Sequence, residues 1–124
     1  MYSQEFEAVA TTARSKTDLL KTRPWAYLLA SVLAGVFIGF GVILSNTAAA
    51  LTASSGLSRL VSGLTFAGGL SLVVFAGAEL FTGNHFVIGS GILSGRVSLA
   101  EGLKVLLVCM LGNWLGSILL SVLF

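Results

Sequence analysis

Long apolar runs separated by short polar interruptions organise this chain. Charge-free runs occupy residues 25–51, 60–78, 80–95 and 105–124, and they contain 27, 19, 16 and 20 residues. A helix needs about 20 apolar residues to cross the hydrocarbon core of a bilayer. The first and last runs are long enough to cross, whereas the two middle runs are separated only by Glu79. The pattern therefore predicts a membrane protein in which one crossing is interrupted.

We assign three membrane crossings to these runs. The first covers residues 25–45, the second covers 60–80 with a broken continuation over 85–95, and the third covers 103–124. The last part of the first run is assigned to an exit loop. Glycines spaced by four residues favour close contact between membrane helices. Such glycines are Gly35 and Gly39, with Gly41 just beyond them, and Gly112 and Gly116.

The second crossing contains the most polar stretch of the apolar region. Residues 77–86 read GAELFTGNHF and place a carboxylate, a hydroxyl, an amide and an imidazole between two apolar runs. Non-helical backbone at membrane depth is costly unless it is buried in protein or lines a watery cavity. Ionisable side chains at that depth indicate a functional site. We therefore predict a loop over residues 82–85 that breaks the helix and faces a permeation path.

The N-terminal residues predict an amphipathic helix over residues 2–22. Apolar side chains recur there at helical spacing, at Tyr2, Phe6, Val9, Ala13 and Leu20. Such a helix lies in the membrane interface or packs on neighbouring subunits, and the two arrangements are compatible. We divide the chain into this helix, residues 1–23, and a membrane domain, residues 24–124.

Composition and charge narrow the class of protein. Hydrophobic residues make up 56% of the chain and charged residues only 10%, whereas soluble domains carry about 25% charged residues. The net charge of +2 gives no indication of nucleic acid binding. Four of the seven basic residues precede the first crossing, and Arg59 stands alone on the opposite side. The positive-inside rule therefore places the N-terminus and the loop at residues 96–104 in the cytoplasm.

Few side chains have the spacing of a catalytic or metal site. One histidine and one cysteine at unrelated positions are too few for a metal centre, and we expect no cofactor. Ser90 and His85 lie five residues apart, a poor spacing for partners on a helix, so we predict that the chain is not an enzyme. Cys109 is expected to be a small buried apolar side chain, and Ser98 a helix cap.

Two motifs resemble the formate/nitrite transporter family. Residues 62–70, SGLTFAGGL, lead towards GAELFTGN at residues 77–84, which resembles the G-[AS]-[DE]-L-F-T core of that family's second transmembrane segment. GNWLG at residues 112–116 is similar to the GN-x-x-G of its third segment. The amphipathic N-terminal helix, Pro24 and the order of the spans agree as well. The resemblance therefore covers the whole chain.

The resemblance implies an all-α fold. It predicts a polytopic membrane helical bundle, of which this chain is one half of an aquaporin-like inverted repeat with a broken second transmembrane helix. It also implies a homo-pentamer in the plasma (inner) membrane of a prokaryote. Each protomer of such a protein has a pore for small monovalent anions or their conjugate acids, such as formate, nitrite, hydrosulfide and lactate.

The family's second half, with its pore histidine, has no counterpart in this sequence. We expect the chain to be part of a longer protein, or the second half to be a separate chain. His85 does not match the pore histidine, because it lies just past the loop of the first half. The alternative is a small accessory or assembly subunit that docks through its glycine faces.

The resemblance also implies roles for apolar residues of the second crossing. Phe66, Leu70 and Leu80 match apolar side chains that narrow the pore. Narrow apolar constrictions favour a neutral acid or a partly dehydrated anion over a hydrated ion. This chain would then supply the apolar constrictions that select the permeating species, and the missing half would supply the proton donor.

The predicted pore loop and its supports complete the candidate site. The loop residues are Phe81, Thr82, Gly83, Asn84 and His85. Thr82 contacts the pore, satisfies backbone groups of the broken helix, or does both. His85 is either a hydrogen-bonding loop residue or a pH-dependent gate. Glu79 is expected to bond loop amides or a basic side chain, and Asn113 to bond across helices.

Overall fold

The chain forms an all-helical bundle in the computed structural model, which describes residues 2–124. The α-helices in that part of the chain are α1 (Tyr2–Thr22), α2 (Pro24–Leu51), α3 (Ser58–Phe75), α4 (Phe81–Leu93) and α5 (Leu99–Leu123). A short 3₁₀ helix, Ala53–Ser55, connects α2 to α3. The predicted all-α fold is confirmed, and α1 coincides with the helix predicted from residues 2–22.

Helix α2 is longer than the first predicted crossing. It begins at Pro24, which suits a first helical turn because its missing amide hydrogen has no role there. It continues to Leu51, so the prediction of an exit loop after residue 45 is wrong. The run of alanines at residues 48–50 favours helix, and the Thr47 hydroxyl is satisfied inside the helix by the Ile43 carbonyl, at 2.9 Å.

The second crossing is interrupted, but earlier than predicted. Helix α3 ends at Phe75 and α4 begins at Phe81, so the break comprises residues 76–80. The prediction of a loop over residues 82–85 is wrong, because these residues lie in the first turns of α4. Gly77 has a φ of +62°, and the amides of Gly77 and Ala78 bond back to the Val74 and Val73 carbonyls, at 3.2 and 3.0 Å. This pattern is a Schellman ending, for which glycine is the usual residue.

The predicted cap of the last helix is confirmed. The Ser98 hydroxyl accepts a hydrogen bond from the Glu101 amide at 3.3 Å, and the Glu101 carboxylate accepts one from the Ser98 amide at 3.0 Å. This reciprocal pair is a capping box, which satisfies amides that the first turn leaves free. Helix α5 therefore starts at Leu99, before the apolar run begins.

Within residues 2–124, three helices are long and apolar enough to cross a membrane: α2, α3 and α5. Helix α4 has only 13 residues and is too short for a crossing of its own. Helix α2 packs against α3 and α5, and α1 packs mainly against α4. The interruption between α3 and α4 is therefore enclosed by α2 and α5 on one side and by α1 on another.

The predicted glycine faces are contact faces. A Cβ on Gly35 would overlap the Asn113 carbonyl, and a Cβ on Gly116 would overlap the Val32 carbonyl. A Cβ on Gly41 would lie 3.1 Å from the Cα of Gly69 on α3. Close approach of backbones through glycine is a common mode of helix packing in membranes. The α2–α5 and α2–α3 contacts thus depend on residues with no side chain.

Candidate functional site

The break at residues 76–80 has its polar backbone satisfied by neighbouring helices. The Glu79 amide donates to the Ala30 carbonyl of α2, at 3.1 Å. The Glu79 carbonyl accepts from the Asn113 side-chain amide of α5, at 2.8 Å. Unpaired backbone groups in an apolar surrounding cost several kcal/mol each. These bonds are what allow an irregular segment to persist between two membrane-embedded helices.

Asn113 links the break to two helices. Its Nδ2 donates to the Ser31 carbonyl of α2 at 2.8 Å as well as to Glu79. Its Oδ1 accepts from the Phe81 amide at the start of α4, at 2.9 Å. One side chain on α5 thereby bonds to α2, to the break and to α4. This geometry agrees with the cross-helix role expected for Asn113.

The Glu79 carboxylate is buried and paired. Lys16 Nζ, from α1, lies 2.6 and 2.5 Å from its two oxygens, and Asn84 Nδ2 donates to Oε2 at 2.9 Å. The side chains of Lys16 and Glu79 are only 18% and 9% exposed. A buried charge is tolerated when it is paired and hydrogen-bonded. The basic partner expected for Glu79 is therefore a residue of the amphipathic helix.

Asn84 joins a buried polar cluster that the sequence did not predict. Its Nδ2 also lies 3.0 Å from the Tyr27 hydroxyl and 3.3 Å from Cys109 Sγ. Tyr27 is completely buried. A buried tyrosine usually has a partner for its hydroxyl, and Asn84 provides it. Cys109 is buried as expected, but its thiol also donates to the Glu79 carbonyl, at 3.2 Å.

The sequence carried some signal for these missed partners. Cys109 lies four residues before Asn113, so the two share one face of α5. Tyr27 is a polar-tipped side chain in a charge-free run, which calls for a partner once the helix is buried. Lys16 carried no such signal, because the charged residues of α1 are distributed around the helix. The pairing of Lys16 with Glu79 follows only from the way α1 packs against the rest of the bundle.

A cleft of about 350 Å³ opens beside the start of α4. It is lined by Phe81, Thr82, Met110, Asn113, Trp114 and Ser117. Within residues 2–124, the backbone amides of Thr82 and Gly83 have no hydrogen-bond acceptor. These amides belong to the first turn of α4, where the helix dipole is positive. The cleft is thus mostly apolar, with a positive helix end at its rim.

Phe66, Leu70, Leu80 and His85 do not line this cleft. Phe66 and Leu70 are on α3, and they are 37% and 44% exposed within this chain. Leu80 is half-buried, and its extended backbone immediately precedes α4. His85 is exposed; its Nδ1 lies 2.8 Å from the Phe81 carbonyl, and its ring packs edge-on against Phe81. The structure therefore brings Glu79, Phe81, Thr82, Asn84 and Asn113 together, but leaves Phe66 and Leu70 on an uncovered face.

Comparison with known proteins adds to this geometry. The model of the formate/nitrite transporter family matches residues 3–124. The chain belongs to this family. The resemblance inferred from the GAELFT and GNWLG motifs is thereby confirmed.

Curated relatives of this chain in the formate/nitrite transporter family carry names that refer to nitrite or formate. The nitrite transporter NirC of Escherichia coli K12 is 32% identical over 124 residues, which is all of this chain and 46% of NirC. The formate channel FocA of Haemophilus influenzae is 27% identical over 129 residues, covering 96% of this chain and 45% of FocA. The chain spans about half the length of these relatives. They are transporters and channels, which supports the prediction that this chain is not an enzyme.

A solved structure shows the same fold. A chain described as an FNT family ion channel superimposes with a TM-score of 0.91 at 32% identity. The match covers 98% of this chain and 48% of that channel. The helices of residues 2–124, including the interrupted one, therefore have the arrangement found in half of a formate/nitrite-type channel.

Proposed function

We propose that this chain forms one half of a transmembrane pore for small monovalent anions, or their conjugate acids, of the formate and nitrite class. The observation that carries the proposal is the broken α3–α4 helix, whose second part begins at the cleft lined by Phe81 and Thr82. Interrupted helices that expose backbone dipoles to a central cavity are how many transporters bind ions. Membership of the family supports assigning this role to the break.

The free amides at the start of α4 provide attraction for an anion. An anion that loses its water in an apolar passage needs compensating donors or a positive potential. Thr82, which lines the cleft, offers its amide and its hydroxyl, and the adjacent Gly83 in the same first turn offers its amide. Glu79 does not act as a bare negative charge against the anion, because Lys16 neutralises it.

Apolar side chains provide the selectivity in this proposal. Phe66 and Leu70 lie four residues apart on α3, and their exposed surfaces are available to a second half of the protomer. With Leu80, they would form apolar constrictions that reject ions with complete hydration shells. The proton that converts the anion into its neutral acid would be supplied by residues outside this sequence.

The assembly and its location belong to the same proposal. We propose a homo-pentamer of complete protomers in the inner membrane of a prokaryote, with the N-terminus in the cytoplasm. Bacterial relatives support the location, and the basic residues before α2 support the orientation. The glycine contacts of α2 with α3 and α5 account for packing within the half-protomer.

Flux through liposomes tests the proposed function. The protein, expressed from its complete reading frame, is reconstituted, and uptake of formate and nitrite is compared with that of sulfate. A Thr82→Ile variant places apolar bulk at the cleft and should lower uptake by about tenfold or more, the effect of a barrier raised by about 1.4 kcal/mol. Thr82→Ser should retain uptake, because it keeps the hydroxyl.

A matched control and a contrary outcome complete this experiment. Ser121→Ala changes an exposed hydroxyl that bonds only within α5, at 2.8 Å to the Ser117 carbonyl, and it should leave uptake unchanged. Folded protein that takes up neither formate nor nitrite above empty liposomes would refute the proposal. That result would favour an accessory or assembly subunit.

A further inference from the structure

A second cleft lies at the end of the α2–α5 contact that is farther from the C-terminus. It has a volume of about 580 Å³ and is formed by the end of α1 and the starts of α2 and α5. Two lysines line it, Lys21 from α1 and Lys104 from α5, together with apolar side chains that include Trp25, Leu28 and Val108. We call this cleft the lysine groove. It is separate from the cleft at the α3–α4 break and shares no lining residue with it.

The lysine groove changes from charged to apolar along the bundle axis. Helices α2 and α5 run in parallel, since Gly112 meets Ser31 and Gly116 meets Val32. Leu28 lies one turn beyond Pro24, and Val108 lies one turn beyond Lys104, in the same direction. The ammonium groups therefore belong to one end of the groove, and the aliphatic walls continue towards the membrane interior.

The position of the groove matches the level of lipid headgroups. Lys21 precedes the charge-free run that begins at Trp25, and Lys104 precedes the run that begins at Val105. Both lysines thus mark the boundary between water and hydrocarbon on the same side of the bundle. Trp25 is 80% exposed at this boundary, and tryptophan is enriched at membrane–water interfaces.

The charge of the groove is positive after its internal ion pairs are counted. Lys21 forms an ion pair with Glu101, which Arg14 also approaches, at 3.9 Å. Arg14 in turn pairs with Asp18 at 3.2 Å. Lys104 forms no ion pair with any residue of the described range 2–124. One ammonium therefore remains without a counter-charge beside an apolar wall.

We propose that the lysine groove is a binding site for an anionic phospholipid. The lipid phosphate lies between Lys21 and Lys104, and one acyl chain follows Leu28, Val108 and Trp25 into the bilayer. Basic pockets between membrane helices at the interface bind acidic headgroups in this way. A free phosphate would leave the apolar wall exposed, and a second copy docked by the same groove would bring like charges together. A lipid satisfies both parts of the groove.

Quenching of Trp25 fluorescence by lipids with brominated acyl chains tests the site. Residues 1–124 contain two tryptophans, so all samples carry Trp114→Phe, and any tryptophan encoded elsewhere in the complete reading frame is likewise replaced by phenylalanine, so that Trp25 is the reporter. The full chain is reconstituted in vesicles that contain brominated phosphatidylglycerol or brominated phosphatidylcholine in an otherwise identical zwitterionic bilayer. Phosphatidylglycerol should quench Trp25 at a lower mole fraction than phosphatidylcholine does.

Charge variants identify the groove as the cause of that preference. Lys104→Gln should reduce the relative affinity for phosphatidylglycerol about fivefold, which is the effect of about 1 kcal/mol per basic residue at an anionic surface. Lys21→Gln should act in the same direction, and Lys104→Arg should retain the preference because it keeps the charge. Arg59→Gln is the matched control, since it removes an exposed charge that lies in the first turn of α3 and outside the groove.

Several results would overturn the lipid site. Equal quenching by the two lipids would show that the headgroup charge is not recognised. An unchanged preference in Lys21→Gln/Lys104→Gln, or an equal loss in Arg59→Gln, would place the recognition elsewhere. Displacement by soluble glycerophosphate would show a site for free phosphate groups. Absence of quenching by either lipid would show that protein covers the groove, as in contact with a second copy.

Discussion

Glu79 is the acidic side chain of residues 2–124 that lies buried, and its partner comes from a helix outside the predicted crossings. Lys16 on α1 contacts both carboxylate oxygens, and Asn84 on α4 donates a third hydrogen bond. This pair fixes α1 against the α3–α4 break. The amphipathic helix is thus attached to the bundle by a specific ion pair as well as by its apolar face.

A double-mutant cycle on this ion pair measures that attachment. Glu79→Gln keeps an acceptor for Asn84 but leaves Lys16 without a counter-charge. It should therefore lower the free energy of unfolding by about 2–3 kcal/mol. This is less than the ~3–5 kcal/mol lost when a fully buried pair is broken, because Lys16 keeps some solvent contact. Lys16→Met/Glu79→Gln should recover part of this loss, because no unpaired charge remains. Unfolding is followed by circular dichroism during titration with a denaturing detergent.

The control for this cycle is Glu5→Gln. Glu5 is exposed in the first turn of α1, so this change removes the same charge without a buried partner. It should alter the free energy of unfolding by less than about 0.5 kcal/mol. If the losses of Lys16→Met and Glu79→Gln were additive, the two residues would not act as a pair.

At the scale of helices, the sequence predicted which elements form more accurately than where they end. Charge-free runs and glycine spacing identified α2, α3 and α5, because membrane thickness restricts their length. The break was misplaced because Gly83 and Asn84 have the residue types of a turn. In the structure, Gly77 ends α3, and the Asn84 side chain is used for a buried polar cluster instead. Such a choice depends on Tyr27 and Cys109, which are remote in sequence.

The residues of the candidate site were predictable from the sequence only where they belong to a recognisable motif. Glu79, Thr82 and Asn113 were identified from GAELFT and GNWLG. Lys16 was not, because its pairing with Glu79 depends on how α1 packs. Phe66 and Leu70 were assigned to the pore from the family resemblance, and their roles stay predictions, since the side of α3 that they occupy is uncovered in this chain.

The close contact between α2 and α5 predicts that a side chain added at a contact glycine destabilises the bundle. Gly116→Ala places a Cβ where the Val32 carbonyl lies, so it should destabilise the bundle by about 1–3 kcal/mol, the usual cost of overpacking. Gly68→Ala is the matched control, because a Cβ there meets nothing within 4 Å. Both are measured by thermal unfolding in mild detergent. Equal stability of the two variants would show that the close α2–α5 contact is not needed for the fold.

The whole molecule is asymmetric in charge along its axis. Arg96 pairs with Glu7, and Lys21 pairs with Glu101, so ion pairs connect α1 to the loop between α4 and α5 and to the first turn of α5. Arg59 lies in the first turn of α3, after the connection that ends α2. Six of the seven basic residues therefore share the end of the bundle where α1 docks. The positive-inside rule predicts that this end is cytoplasmic.

Cysteine labelling in intact cells tests that orientation. Ser3→Cys lies on α1 and Ser55→Cys lies in the connection between α2 and α3, and both positions are exposed. A membrane-impermeant maleimide should label Ser55→Cys in intact cells, but Ser3→Cys only after the membrane is permeabilised, because the six basic residues at the α1 end favour a cytoplasmic location for that end. The unsubstituted chain is the control, since its buried Cys109 should remain unlabelled in the folded protein. Labelling of Ser3→Cys and not Ser55→Cys in intact cells would show the opposite orientation and would place the lysine groove at the outer leaflet.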